Sequence, residues 1–439
     1  MLTPPDPDAA ELAKELDGLP LALATAGAYL DQVATSFADY LRLYKASWLK
    51  LQQTSPEARS YEDRRLYSTW QLSLDHIRQQ NELSAKLLQL WAYFDNQDLW
   101  FELVREGSTD GPEWLCQLTV DELSFNEAVR VLCDHGLVEV DNSSEGSVVE
   151  SKGYGMHGCV HSWTVHVVNQ EWDSEMAGVA LECVARHVPD ENSRNPWVTQ
   201  RRLMQHAARC WRFIVNGSVE HDRRDWALHY LGNLYADLGQ LDKAEEMYQR
   251  ALTGYEKAWG SEHTSTLDTV NNLGLLYKSL GHLDKAEEMY QRALTGYEKA
   301  WGPEHTSTLN TVNNLSLLYA DLGQLDKAEE MYQRALTGKE KAWGSEHTST
   351  LNTVNNLGLL YKSLGHLDKA EEMYQRALKG YEKAWGPEHT STLDTVYNLS
   401  LLYESLGRLD EAEKMYQRVL AGKKNLSIQV KTQLSMMKN

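Results

Sequence analysis

Across the second half of the chain, apolar residues return at intervals of three and four. Val270, Leu273, Gly274 and Tyr277 fall on one helical face, a Gly-His-Leu-Asp break follows, and Ala286, Met289, Tyr290 and Ala293 resume the spacing. Two such stripes joined by a short turn predict a pair of amphipathic helices folded back on each other. Gly274 and the alanines are small where the two backbones must come close, and the tyrosines fill the space beside them. Trp259, Trp301, Trp343 and Trp385 stand 42 residues apart, and everything between them keeps register. A fixed period of that size predicts a solenoid of stacked units.

The copying goes beyond what packing asks for. NNLGLLYKSLGHLDKAEEMYQRAL occurs at 271–294 and again, unchanged, at 355–378. Between 260–303 and 344–387 the only differences are Asp268/Asn352 and Thr295/Lys379. Fold specifies surface positions weakly, so two explanations stand side by side: recent copying of an 84-residue, two-unit block, or selection for a uniform binding face. A Glu288–Arg292 pair at i,i+4 is expected to add about 0.3 kcal/mol per unit. Packing at the seams must therefore hold the array.

The first half is less regular. DGLPLALATAGAYL at 17–30 puts a proline at a helix start ahead of an alanine-rich apolar face. SAKLLQLWAYFDNQDLWFELV (84–104), FNEAVRVLCDHGLVEVD (125–141) and the segment 171–222, with ECVARHV and RRLMQHAARCWRFIV, read as further helices. The tail 423–439, carrying Lys423, Lys424, Lys431 and Lys438, is expected to fray.

Charge and cysteine usage narrow the class. Of the net −20, residues 1–222 contribute −16 (34 acidic, 18 basic) and 223–439 only −4 (29 acidic, 25 basic). Neither half offers a basic stripe, which argues against nucleic acid as a partner. Cys116, Cys133, Cys159, Cys183 and Cys210 are scattered and form no CxxC, the usage of reduced thiols in an intracellular protein. The first residues carry no apolar signal core, and the longest mostly apolar run, 19–30, is too short to span a bilayer. A cytoplasmic protein that spans no membrane is expected. No GxxxxGK[ST] occurs, so the chain has no loop to cradle phosphates, and no enzymatic activity is expected of it.

Leu273-Gly274-xx-Tyr277 followed by Ala286-xxx-Tyr290-xx-Ala293 resembles the tetratricopeptide repeat. The match recurs at Leu231-Gly232-xx-Tyr235, Leu315-Ser316-xx-Tyr319, Leu357-Gly358-xx-Tyr361 and Leu399-Ser400-xx-Tyr403, giving five repeats over about 223–422. The period exceeds the family's usual 34, because TGYEKAWGPEHTST extends the second helix before Gly302 and Pro303 stop it; its Trp is expected to cover the seam to the next unit. This longer repeat is similar to those of kinesin light chains and fungal receptor-like proteins. The resemblance implies a concave groove lined by first helices, with Asp268, Asn271, Leu275 and Lys278 facing it. The implied row is Asn271, Asn313 and Asn355, flanked by Leu275, Leu317 and Leu359, with Lys278 and Lys362 alternating with Ala320 and Glu404, and Tyr397 ending the row. One amide offers two donors and an acceptor to a peptide backbone. Asn272, Asn314 and Asn356 are an alternative set, and solvated consensus residues are the plain one.

GLPLA, LLQLWAYF, HGLVEV and MHGCVHSW, in that order, resemble the NB-ARC nucleotide switch of receptor-like proteins of the NLR (STAND) class, over about 10–170. The resemblance implies a winged-helix subdomain and assigns adenine contact to Pro20 and phosphate contact to His157; the usual Asp of the MHD motif is Gly158 here. Without a P-loop no cofactor is expected for this chain alone, ADP or ATP entering only if a P-loop domain completes the site. His157, Cys159, His161 and Cys133 lack paired metal-ligand spacings, so no metal is expected. The helix near 125–135 carries Glu127 and Asp134 against one Arg130, a poor DNA reader.

The resulting expectation is a mainly α chain: a helical NB-ARC remnant (1–60), a winged helix (61–170), a helical linker (171–222), an α-solenoid of five 42-residue tetratricopeptide repeats (223–422) and a tail (423–439). Its expected role is a non-catalytic scaffold or sensor for a protein or peptide, with self-association or a full-length relative as further partners. The alternatives are part of a nucleotide-switched ATPase, or a cargo adaptor like a kinesin light chain.

Overall fold

The computed structural model describes residues 7–16, 19–54, 61–141, 151–190, 196–219 and 224–436, and, of these, the side chains of all but 48–54, 61–66 and 423–436. The chain forms two compact units, Met1–Tyr230 and Leu231–Asn439, taken here one at a time. Among the described residues, no helix is long and apolar enough to cross a membrane.

In the first unit, helices Pro7–Glu15, Pro20–Val33, Phe37–Thr54 and Tyr61–Gln80 pack around Leu12, Leu16, Ala22, Ala26, Tyr29 and Tyr40. Pro20 sits at the first helical position, where its missing N–H removes no helix bond. Helices Glu82–Trp91 and Glu122–Asp134 each start on a side-chain cap: Asn81 accepts from the Ser84 N–H at 3.2 Å and Asp121 from the Ser124 N–H at 2.7 Å. Helices Phe101–Glu106 and Glu113–Leu118 lie between them. An antiparallel hairpin follows, Glu139–Asp141 with Gly153–Gly155, Val140 opposite Tyr154. Tyr154 also exchanges both backbone bonds with Leu99 at 2.8 Å, which ties the hairpin to the turn at 96–100. Helix Gly158–Trp163 runs into a π turn at Thr164–Val168, and helices Ser174–Arg186 and Pro196–Val215 complete the unit. Arg202 grips Asp98 with two bonds of 2.9 and 2.7 Å and lies 3.9 Å over the Trp100 ring, a bidentate pair shielded from solvent.

The second part of the chain is five helix pairs: Asp225–Asp237 with Leu241–Trp259, Thr264–Ser279 with Leu283–Trp301, Thr306–Asp321 with Leu325–Trp343, Thr348–Ser363 with Leu367–Trp385, and Thr390–Ser405 with Leu409–Met436. The small residues do what the pattern predicts. A Cβ added to Gly274 would stand 2.8 Å from the Tyr290 ring, and one added to Gly358 would stand 2.7 Å from Tyr374. Ser316 and Ser400 fit the same place in alternate pairs by turning their hydroxyls onto their own helices, at Val312 and Tyr397. Each long second helix ends at its Trp on a glycine in the left-handed region, Gly302 at φ +89°. The next helix starts on a histidine: His305 Nδ1 accepts from the Ser307 N–H at 3.2 Å while its ring lies 4.2 Å from Trp301. The last second helix lacks that glycine and continues through Met436.

Two further expectations are corrected. Arg292 turns from Glu288 to Glu256 of the preceding second helix at 2.5 Å, and Arg334 and Arg418 reach Glu298 and Glu382 in the same way. The reason is geometric: the seam brings a carboxylate within reach. Arg250, at the start of the array, keeps its i,i+4 partner Glu246 at 3.0 Å. The tryptophans do not fill the seam. Trp259, Trp301 and Trp385 are 52, 41 and 41 % exposed and stack over the turn, between a tyrosine and the capping histidine.

One position interrupts the regularity. The second helix of the third pair repeats its two predecessors letter for letter except for Lys339, where they carry Tyr255 and Tyr297. Lys339 is 2 % exposed, with Nζ donating to the Ser349 carbonyl at 3.3 Å. Tyr297 and Tyr381 stack on their tryptophans at 5.5 and 5.1 Å, a contact that lysine forgoes. Lys339→Tyr should restore the stack, worth about 1 kcal/mol, and raise the melting temperature by roughly 2–4 °C; thermal circular dichroism reads this directly. The cap at His389, whose Nδ1 accepts from the Ser391 N–H at 3.3 Å, predicts a pH effect. A protonated imidazole cannot accept at Nδ1 and faces the positive helix end. Burial holds His389 below the usual imidazole range, the Asp394 carboxylate working against it. The unfolded chain therefore takes up this proton first, and stability present at pH 7.5 falls as the pH passes down through about 6.5. His389→Asn, a cap that does not titrate, should lose less melting temperature between pH 7.5 and 5.5 than the wild type does.

Candidate functional site

Successive first helices approach one another more closely than successive second helices do, so the array curves toward the first helices and they form its inner face. On that face Leu275, Leu359 and Tyr397 stand out, 48, 38 and 43 % exposed, and Leu317 is half-buried. Lys278 reaches across to Asp321 at 2.8 Å. Its copy Lys362 has Ser405 at the position corresponding to Asp321. Burial holds the Lys362 amine below its usual range, with the Glu404 carboxylate pulling the other way. The face thus sets exposed leucine and tyrosine among amides and a few charges.

The asparagine row does something the sequence did not show. The Asn271 side-chain oxygen accepts from Thr311 at 3.1 Å and Asn314 at 3.5 Å in the next unit. Asn313 accepts from Thr353 at 2.9 Å, and Asn355 from Thr395 at 3.3 Å and Asn398 at 3.4 Å. The row is a ladder of bonds between first helices. Asn313 is 7 % exposed, so its place on an open groove wall is corrected: the seam has closed over it. Each side-chain oxygen already accepts from the next unit, which leaves less acceptor capacity for a peptide than the resemblance implies. What the row retains for a ligand is the Asn355 amide donor and one N–H of Asn271, whose nitrogen also donates to Asn272 at 3.4 Å; both residues are half-buried. The alternative set is also engaged, Asn272 donating to Asn233 at 3.0 Å and Asn356 to Asn352 at 3.3 Å. The signal for this ladder was in the chain, as a threonine 40 residues after each asparagine, but it becomes legible only once the stacking distance is known.

In the first unit, Pro20 and His157 are exposed. His157 Nδ1 accepts from the Cys159 N–H at 3.2 Å, capping helix Gly158–Trp163. His161 bonds the Phe94 carbonyl at 3.0 Å, and burial, with the Arg209 charge, depresses its basicity. These histidines hold local structure.

A family model for the tetratricopeptide repeat matches residues 223–299, 307–383 and 349–425. The array is built of tetratricopeptide repeats. A "Nucleotide-binding leucine-rich repeat (NLR)-like protein" of the fungus Hyaloscypha variabilis is 28 % identical over 277 residues, covering 60 % of this chain. The chain spans 26 % of that relative's length. Among solved structures, nearly identical TPR-like repeats of a Podosopora anserina protein described as a kinesin light chain are 26 % identical over 48 % of this chain and 99 % of theirs, with a TM-score of 0.40. BtubC (BKLC) from P. vanneervenii is 24 % identical over 56 % of this chain and 91 % of its own, TM-score 0.41. The apo quorum sensor NprR from B. thuringiensis is 15 % identical over 63 and 73 % of the two chains, TM-score 0.46.

The two roles possible for the tetratricopeptide asparagines separate by stability. Asn313→Ala leaves the Thr353 hydroxyl without its buried acceptor and should cost about 1–2 kcal/mol. Leu359→Ala, at an exposed position, should stay within about 0.5 kcal/mol. Urea unfolding of the two variants checks the contrast.

Proposed function

We propose that the chain is a non-catalytic recognition scaffold whose tetratricopeptide array binds a protein or peptide along its inner face. The observation that carries this is the exposed set Leu275, Leu359 and Tyr397 beside the half-buried amides of Asn271 and Asn355. Apolar side chains on that face gain by leaving water, and amide donors fit the carbonyl oxygens of an extended backbone. The likeness to the fungal NLR-like protein supports placing the chain as the ligand-sensing and regulatory part of such a receptor, with a winged-helix subdomain at 61–170 after a remnant of the nucleotide switch. In this reading Pro20 and His157 are vestigial nucleotide contacts, and the recognition residues are Leu275, Lys278, Leu317, Leu359, Lys362 and Tyr397 with the asparagine amides.

Because the asparagines also hold the seams, the test uses exposed side chains. Partners are captured from native lysate on the full chain, wild type against Leu275→Ser, Leu359→Ser and Tyr397→Ser combined, with helicity followed by circular dichroism. Specific partners should fall at least tenfold at unchanged helicity. Undiminished capture would move recognition off the inner face.

A further inference from the structure

Where the first four helices meet the rest of the first unit, one buried imidazole is left without a partner. His135 ends helix Glu122–Asp134 and is 1 % exposed, and neither ring nitrogen has a hydrogen-bond partner among the described residues. His206, equally buried, shows the usual arrangement: its Nδ1 accepts from the Asp95 N–H at 3.1 Å and its Nε2 bonds the Asp98 carbonyl at 3.0 Å. The His135 ring lies 6.3 Å from that of Tyr29 on helix Pro20–Val33 and 5.5 Å from that of His76 on helix Tyr61–Gln80. Tyr29 and His76 are 5.8 Å apart, edge to face. Gly136 then turns the chain at φ +66°, close enough that a Cβ there would stand 3.9 Å from Thr25. Three rings from three elements close this corner.

A leucine or phenylalanine would fill the same space without burying polar atoms. An imidazole with two unpaired nitrogens keeps its desolvation cost for as long as the corner stays shut. Opening lets water satisfy both nitrogens and lets a proton in. Within the closed corner a proton on His135 would find no acceptor, a charge on His76 would repel it, and only Asp134 on its own helix would favour it. Tyr29 stays neutral, since burial and the Asp75 carboxylate raise its phenol. Asp75 itself bonds Gln71 at 2.9 Å and pairs with Arg78 at 3.5 Å.

We propose that this corner is an acid-released latch: a proton on His135 frees the end of helix Glu122–Asp134 from helices Pro20–Val33 and Tyr61–Gln80. A second aromatic contact across the junction, Trp70 with Trp163 at 5.7 Å, carries no titrating group and stays in place, so the release is local. Burial pushes the His135 imidazole down to about 4, with His76 adding to the effect and Asp134 opposing it. In the open corner it returns to about 6.5. The latch therefore holds fully above about pH 6.5 and weakens as the pH falls toward 4. Between pH 7.5 and 5.5 the ratio of open to closed corner rises about tenfold. The latch lies in the first unit, so it stands or falls separately from peptide recognition on the array.

Hydrogen–deuterium exchange of the full chain at pH 7.5 and 5.5, with rates corrected for their intrinsic pH dependence, tests this. Amides of 20–33 and 122–137 should open about tenfold more at pH 5.5 in the wild type. His135→Phe, which fills the corner and takes no proton, should hold that rise below twofold. His135→Gln, polar but unable to titrate, is the second variant should phenylalanine overfill the site, and carries the same expectation. No rise in the wild type overturns the proposal. So does a rise that persists in the variants, since the acid would then act through another group, the buried His206 first among them.

Discussion

Everything in the array depends on the seam, where a first helix lies against the second helix before it. Each helix pair closes its own small core, with Gly274 against Tyr290 as the pattern case, but a pair alone leaves one side of its second helix apolar. Stacking covers that side, so stability passes from neighbour to neighbour as in any one-dimensional array. The apolar contacts of Leu252 and Leu336 contribute to it, each half-buried against the next first helix. The Arg–Glu bonds along the outer side, each part-exposed, are worth at most about 1 kcal/mol apiece. They fix register rather than carry the load.

The seam also changes how the near-identity of the repeats is read. Judged from sequence, polar surface residues had no reason to be copied. Several turn out to be half of a bond whose other half lies one unit away: Arg292 with Glu256, Lys299 with Glu262, Tyr277 with Glu245, Asn271 with Thr311. Changing one copy breaks a bond on one side only, and repairing it means changing the next copy too. Structure therefore constrains more of the surface than helix packing within a unit would. The share left to recent copying or to a selected binding face shrinks accordingly, although Thr295 and Lys379 show that some outer positions are free to differ.

The helix pairs, their turns and the small-against-large contacts were legible because they are local: periods of three and four, a glycine stop and a 42-residue repeat record them in consecutive residues. The role of the asparagine row was not, because it depends on which residue lies 40 positions away across a seam. The same holds for Arg292, whose nearest carboxylate in sequence is not its nearest in space. In the first half the order of the motifs survives as a run of helices, a hairpin and a capped helix, while His157 shows how a residue singled out by motif can have a local structural task.

The face proposed for binding follows from how charge pairs and apolar side chains divide between the two sides of the array. Along the outer side, second-helix lysines pair with carboxylates in the preceding turns, Lys299 with Glu262 and Lys383 with Glu346, so a partner landing there would trade existing bonds for new ones. The inner face has few such pairs, Lys278 with Asp321 being the one described between first helices, and presents leucine and tyrosine that stay 38–48 % exposed. Covering them needs only the removal of water, which is the favourable direction.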